Sequence, residues 1–201
     1  MPGPATPTGA ALRQILTEQQ LREGVGRLAD EINAYYEGRS LTIVGVLTGS
    51  VVLLADLIRL LDMPIKVGLV QATSYRGATT SPGELRLNFD LLPEIAGRDV
   101  LIIDDIFDTG HTLAKLFEEL GARQPKLLRS AVLLRKAGRV EVSLQPDHVG
   151  FEIPNEFVVG YGLDYADLYR NLPYVAALEP ADMVPAEPSG QASPTGKGLA
   201  P

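Results

Sequence analysis

Apolar residues recur along this chain in two alternating rhythms. Leu21, Val25, Leu28, Ile32 and Tyr35 return at steps of four and three, the spacing that lines one face of a helix. Thr17 and Gln20 ahead of that run have the form of a capping box, and Gly38 marks its end. Leu41–Leu47 (LTIVGVL) is short, rich in β-formers and almost wholly apolar, as a strand covered on both faces is. Gly49-Ser50 breaks it, and Val51–Leu61 reads as a helix. Ile65–Val70 predicts a further strand. Val100–Ile103 predicts a buried strand that ends in two aspartates, followed by a Thr-Gly turn and a helix through Leu120. Leu127–Leu134 and Phe157–Tyr161 complete the set of strands. Strand, turn, helix and strand in repetition predict an α/β protein with a parallel sheet and helices on both faces. Ligands of such sheets bind beyond the carboxyl ends of the strands.

Composition narrows the picture at the ends of the chain. Residues 1–10 (MPGPATPTGA) and 179–201 are rich in Pro, Ala and Gly with hardly a large apolar side chain, and such segments bury too little surface to offset the entropy of ordering them. Both are expected to be disordered, which leaves 11–178 as the one folded domain. Lys and Arg number 18 against 25 Asp and Glu, a net charge of −7, the wrong sign for a nucleic-acid or anionic-lipid footprint. The absence of cysteine excludes disulfides, thiolate metal sites and a cysteine nucleophile. Two histidines, His111 and His148, argue against a histidine-rich zinc site. No apolar run approaches the ~18–20 residues of a membrane span, and the N-terminus lacks the basic start and apolar stretch of a signal peptide. A soluble cytoplasmic protein is expected.

Val100–Thr112 (VLIIDDIFDTGHT) carries the densest chemistry. The apolar strand delivers Asp104 and Asp105, then Asp108, and Thr109-Gly110-His111-Thr112 open a helix. Gly110 lets the backbone turn tightly and approach a ligand. The free N–H groups of the helix start, with the Thr109 and Thr112 hydroxyls, form an anion cradle suited to a phosphate. Carboxylates beside such a cradle need other partners, and ribose hydroxyls and Mg²⁺ are the natural ones. Taken singly, these residues have plainer readings. An Asp-Asp pair is the solvated strand end of a receiver-like domain, His111 an exposed helix-start residue, Lys136 a strand-end lysine facing water, and Phe157-Val158 a core strand.

The combination DDIFDTGHT after an apolar strand resembles the phosphoribosyl-pyrophosphate motif of the type I phosphoribosyltransferases. VGVLTGSVVLLADLIR resembles the pyrophosphate loop of the hypoxanthine–guanine branch, SYRGATTSPGELRL its mobile hood loop, and LLRKAGR with DHVGFEIPNEFVVGYGLDY its purine pocket. The resemblance runs in order from about Ile15 to Leu178. It implies a largely parallel central sheet flanked by helices, with a small hood and a mobile loop, and a Mg²⁺-dependent transfer from phosphoribosyl pyrophosphate to a 6-oxo purine. By the same resemblance Asp104 and Asp105 hold the ribose hydroxyls and help organise Mg²⁺. Asp108 is the general base that takes the purine N7 proton as N9 attacks C1′. Asp108, Thr109, Gly110, His111 and Thr112 hold the 5′-phosphate, and Ile106 and Phe107 line that loop. Lys136 donates to the purine O6, Phe157 stacks on the ring, and Val158 offers its backbone to the Watson–Crick edge. Asp164 meets Mg²⁺ and the region of the guanine amine, and Arg170 binds pyrophosphate.

The pyrophosphate loop is Leu47-Thr48-Gly49-Ser50, and in the family the peptide matching Leu47–Thr48 is often cis. Many members carry a basic residue where this chain has Thr48, which leaves backbone donors to hold the anion. Thr73–Asn88 matches the lid, with Ser74 and Tyr75 as the pair that covers the pyrophosphate and ribose. The resemblance also implies a homodimer or homotetramer. Two other activities share the fold: an RNA-binding regulator of pyrimidine genes, which the negative charge disfavours, and a xanthine-preferring transferase.

Overall fold

The computed structural model describes residues 12–74 and 85–179. The expectations for both termini, and for Tyr75 and the lid up to residue 84, lie outside the described residues. In chain order the elements are β1 (Arg13–Leu16), α1 (Glu18–Tyr35), β2 (Leu41–Leu47), α2 (Val51–Leu57, continued by a 3₁₀ turn over Ile58–Leu60), β3 (Ile65–Ser74), β4 (Leu85–Leu91), β5 (Asp99–Phe107), α3 (His111–Gly121), β6 (Leu127–Lys136), β7 (His148–Ile153), β8 (Val158–Val159) and β9 (Val175–Ala177).

Six strands form one sheet in the order β4-β3-β2-β5-β6-β7, with β4 antiparallel at its edge and every other pair parallel. The apolar runs of β2 and β5 divide their side chains between two cores. Ile43, Leu101, Ile103 and Leu133 pack under α1 and α2 with Leu21, Leu28, Ile32 and Leu57. Val44, Val46, Ile102 and Val132 pack under α3 with Leu113, Leu116 and Leu120. Burial on both faces is why these strands read as continuous apolar runs rather than alternating ones. The capping box is present: Thr17 Oγ1 accepts from the Gln20 N–H at 3.2 Å, and Gln20 Oε1 accepts from the Thr17 N–H at 2.9 Å.

The chain from β2 crosses through α2 to β3 on one side, and the chain from β5 crosses through α3 to β6 on the other. A crevice opens where such crossovers diverge, beyond the carboxyl ends of the two central strands. A second, three-stranded antiparallel sheet, β1-β9-β8, forms the hood.

Several boundaries differ from those expected. β5 does not stop at Ile103 but runs to Phe107, because its pairing with β6 continues through Asp104↔Val132, Ile106↔Leu134 and Phe107↔Arg135. Asp104 and Asp105 therefore sit inside the strand. β3 extends to Ser74, paired with Leu85 of β4, so both flanks of the expected lid are a hairpin. The helix expected to Leu61 gives way to the 3₁₀ turn after Leu57, and the strand expected over Phe157–Tyr161 is only Val158–Val159.

Candidate functional site

A cleft of about 340 Å³ lies at the carboxyl ends of β2 and β5. Leu47 lines it from the end of β2, and Thr48 and Gly49 from the loop that follows. Asp104 to Gly110 and Thr112 line it from the end of β5 and the start of α3, and Asp164 and Arg170 from the segment after β8.

Its floor is acidic. Asp104 is buried, and burial first, then the neighbouring Asp105 charge, holds its carboxyl well above the usual carboxylate range. Burial likewise raises Asp105, partly offset by its hydrogen bonds and by Arg170. Backbone amides are their acceptors' chief partners: the Asp105 N–H donates to Asp104 Oδ1 at 3.0 Å and the Ile106 N–H to Asp105 Oδ1 at 2.8 Å. Such a pair calls for donors or a cation from a ligand.

The opposite wall is built to receive an anion. Gly110 caps α3 with φ +90° and offers no side-chain hydrogen bond to the helix start, so the first N–H groups of α3 remain uncapped. A side chain at Gly110 would collide with Val142 and with the Phe107 ring, which holds the turn close against the end of β5. His111 stands apart from this cleft: its side chain is exposed and its Nε2 lies 2.9 Å from Glu141 Oε2.

The loop after β2 is equally confined. The Leu47–Thr48 peptide is cis, as the resemblance implied. A Cβ at Gly49 would fall on the Asp105 carboxylate, so only glycine lets loop and acidic floor meet. Neither the Thr48 nor the Gly49 N–H donates to an acceptor among the described residues, which leaves two backbone donors at the cleft. Arg170 stands across from them, its guanidinium donating to the Gly162 carbonyl at 2.8 Å and pairing with Asp164 Oδ1 at 2.8 Å.

At the edge of the cleft, Asp108 Oδ2 accepts from Lys136 Nζ at 2.9 Å, and Arg139 Nε lies 2.8 Å from Asp108 Oδ1 without hydrogen-bond alignment. Lys136 is buried at the end of β6, so the lysine does not face water. Asp108, a charge-paired carboxylate, and Lys136, a desolvated ammonium, thus form one polar unit joining strands β5 and β6.

A model of the phosphoribosyl transferase domain matches residues 11–166. The chain belongs to the phosphoribosyltransferase family. This phosphoribosyltransferase is 41% identical over 166 residues to the hypoxanthine-guanine phosphoribosyltransferase of Staphylococcus aureus strain Mu50, which covers 83% of this chain and 93% of that one. It is 43% identical over 166 residues to the bifunctional protein TilS/HprT of Listeria innocua. The match covers 83% of this chain but only 26% of the Listeria protein, so the chain spans about a quarter of that relative's length. Among solved structures, a hypoxanthine-guanine phosphoribosyltransferase from Bacillus anthracis superposes with a TM-score of 0.79 at 38% identity, covering 84% of this chain and 100% of that one. A hypoxanthine phosphoribosyltransferase from Staphylococcus aureus does so with a TM-score of 0.78 at 40% identity, covering 84% and 92%.

The phosphoribosyltransferase fold thus gathers the residues expected for phosphate, ribose and pyrophosphate, His111 excepted, into one cleft. Lys136 joins them through Asp108. Phe157 and Val158 lie in the hood: the Phe157 ring is half exposed and meets Tyr165 edge to face at 5.7 Å, while Val158 is buried and pairs with Ala177. Ser74 ends β3. Three contributors escaped the sequence reading. Arg139 follows Lys136 by one tight turn through Gly138, whose φ is +72°. Gly162 and Tyr161 belong to the stretch after β8 and act across the chain on the loop after β2. A tyrosine flanked by two glycines, Gly160-Tyr161-Gly162, was the visible signal, but its partner was not.

The donor set for Mg²⁺ fits in a limited sense. Among the described residues no group of three or more Asp, Glu or His side chains comes together to hold a metal ion, and Asp164 is given over to Arg170. Asp104 and Asp105 are hard oxygen ligands that no cationic side chain pairs directly among the described residues, as suits an ion that keeps most of its shell in water and substrate phosphates.

Proposed function

We propose that this phosphoribosyltransferase makes IMP or GMP, transferring the phosphoribosyl group of phosphoribosyl pyrophosphate to N9 of hypoxanthine or guanine with release of pyrophosphate, in purine salvage. The observation that carries this reading is the buried Lys136 ammonium held 2.9 Å from Asp108 at the edge of the phosphate cleft. One pair supplies both groups that a 6-oxo purine requires, a donor for O6 and a carboxylate for the N7 proton.

The 5′-phosphate takes the uncapped start of α3 between Thr109 and Thr112. Asp104 and Asp105 accept from the ribose hydroxyls, and the Thr48 and Gly49 N–H groups with Arg170 hold the pyrophosphate. As the purine enters, Lys136 turns from Asp108 to O6, and the freed Oδ2 takes the proton from N7 while N9 bonds to C1′ and the C1′–oxygen bond to pyrophosphate breaks. Asp104 and Asp105 would hold Mg²⁺ together with substrate oxygens, joined by Asp164 once it is released from Arg170, and the bound ion would offset charge on the leaving pyrophosphate. Phe157 stacks on the purine, the Val158 backbone reads its Watson–Crick edge, and Ser74 and Tyr75 cover the reacting sugar.

Phosphoribosyl pyrophosphate and the nucleotide product are multiply charged and cannot cross a bilayer unaided, which favours a cytoplasmic enzyme; no helix among the described residues is long and apolar enough to cross a membrane. Val67 and Leu91, exposed on the neighbouring strands β3 and β4, are apolar surface that a homodimer or homotetramer would cover. The deciding experiment is nucleotide formation from phosphoribosyl pyrophosphate with hypoxanthine, guanine, xanthine and adenine, with and without Mg²⁺. Turnover of the 6-oxo bases and not of adenine is expected. No pyrophosphate release with any base, or a shift of pyrimidine-leader RNA at physiological salt, would remove the reading.

A further inference from the structure

The segment after β8 is fastened to α2 at a point remote from the reacting atoms. Tyr161 is buried, and its hydroxyl donates to Asp56 Oδ2 at 2.7 Å. Its backbone N–H donates to the Leu172 carbonyl at 2.9 Å, and the next N–H, that of Gly162, donates to the Arg170 carbonyl at 3.0 Å. Asp56 lies on α2, the helix that the pyrophosphate loop opens. The Tyr161 hydroxyl therefore closes a ring: loop after β2, α2, Asp56, Tyr161, Gly162, and back to the loop.

The closing contact of that ring is backbone on backbone. A Cβ at Gly162, where φ is +100°, would fall on the Gly49 carbonyl oxygen, and the Gly49 Cα is itself pressed against Asp105. Asp105, Gly49 and Gly162 form a stack with no room for a side chain between layers. The Gly49 carbonyl belongs to the Gly49–Ser50 peptide and is joined through the Gly49 Cα to the peptide that carries the free Gly49 N–H, so Gly162 packed on that carbonyl limits how far Gly49 and its donor can shift. Gly162 also fixes Arg170 by accepting from its guanidinium. Both sets of pyrophosphate donors thus depend on where Gly162 sits.

We infer that Tyr161 is a positioning residue for the pyrophosphate half of the substrate, holding Gly162 against the Gly49 peptide through its hydrogen bond to Asp56. The inference rests on the reading of the cleft as a phosphoribosyl-pyrophosphate site. Burial, reinforced by the bond to Asp56, holds the phenol protonated far beyond neutral pH, so the donor persists under all assay conditions. The bond is not needed to complete the core, since the Tyr161 ring packs among apolar neighbours with or without its hydroxyl.

The test compares Tyr161→Phe, Asp56→Ala, Asp56→Asn and the double variant Tyr161→Phe/Asp56→Ala with the parent chain. Calorimetric Kd values for pyrophosphate and phosphoribosyl pyrophosphate are measured alongside KM and kcat. Tyr161→Phe and Asp56→Ala should each weaken both ligands by about 5–30-fold, toward the lower part of the ~10–150-fold of a charge-assisted hydrogen bond because the loss reaches the ligand only through Gly162. Purine KM should change by less than about twofold, and the double variant should be no worse than either single one. Asp56→Asn keeps an acceptor and should restore most of the affinity. Unchanged pyrophosphate affinity in Tyr161→Phe, equal losses for both substrates with a matching fall in Tm, or additive losses in the double variant would each overturn the assignment. Weakened pyrophosphate binding in a parent chain that forms no nucleotide would sink the base-transfer reading and keep this one.

Discussion

Replacing Lys136 with Met tests base choice at the residue on which it most depends. The side chain is buried and its ammonium donates to Asp108 at 2.9 Å, so Met keeps most of the stem and deletes only the charge. In the complex, O6 of hypoxanthine or guanine loses a charge-assisted hydrogen bond worth roughly 1.5–3 kcal/mol, or about 10–150-fold in kcat/KM. The cost to the free protein is smaller than the ~3–5 kcal/mol of a broken buried pair. Asp108 is part exposed and keeps the Arg139 guanidinium within 2.8 Å of its other oxygen. A loss of about 1–2 kcal/mol, or roughly 2–8 °C in Tm for a chain of this size, is expected. Phosphoribosyl pyrophosphate affinity should hardly change, because its cradle lies on α3 and the loop after β2. Adenine should stay a poor substrate, since Met offers its amino group no acceptor. The assay is kcat/KM for hypoxanthine, guanine and adenine in both proteins, with Tm by thermal scan. Unchanged rates with the 6-oxo purines would show that the purine does not meet Lys136, and the pocket would have to be sought elsewhere.

Asp108→Asn should lower kcat by about 10–1000-fold with little effect on phosphoribosyl pyrophosphate binding, within the range of general-base losses; unaltered turnover would take Asp108 out of the mechanism. Gly49→Ala forces a methyl onto the Asp105 carboxylate, and at an overpacking cost of ~1–3 kcal/mol should weaken phosphoribosyl pyrophosphate by about 5–150-fold, read as its KM or by calorimetry. Asp104→Asn should raise the Tm of the free protein at neutral pH while weakening substrate. Burial and Asp105 hold the native carboxyl above its unfolded value, so the folded state binds the proton more tightly. Stability from this group is therefore lost as pH rises through the raised value, and the variant should flatten that part of the Tm–pH profile; an unchanged profile would show that the group carries no such strain.

The alternation of strand and helix was legible because it rests on local regularities. A strand buried on both faces must be apolar at every position, as β2 is, and α1 must repeat its apolar residues at helical spacing and cap its own end. The phosphate cradle was legible for the same reason, since a strand end, a tight glycine turn and a helix start are consecutive in the chain. The hood was not. β1, β8 and β9 have four, two and three residues, too few for a period to show, and they are strands only because they pair with each other. β4 alternates half-buried and exposed positions and blended into the polar lid beside it. Its pairing with β3 made it a strand.

Taken alone, the chain determined the sheet's parallel class, the acidic strand end and the anion cradle, because neighbouring residues and elementary sterics suffice for each. Which charge answers which was decided by the fold. Lys136 reaches Asp108 because β5 and β6 are adjacent parallel strands, and Arg170 reaches Asp164 and Gly162 through the turns after β8. Gly49 meets Gly162 because the segment after β8 closes over the loop after β2. Lys136 and Asp108, and still more Gly49 and Gly162, lie far apart in sequence, and their juxtaposition follows from crossover direction and strand order, which leave no trace in any local pattern; Arg170 meets its near neighbours only through turns that have no repeating pattern. The burial that strains Asp104 and Asp105 is likewise a property of the packed sheet, where desolvation and two adjoining carboxylates act together.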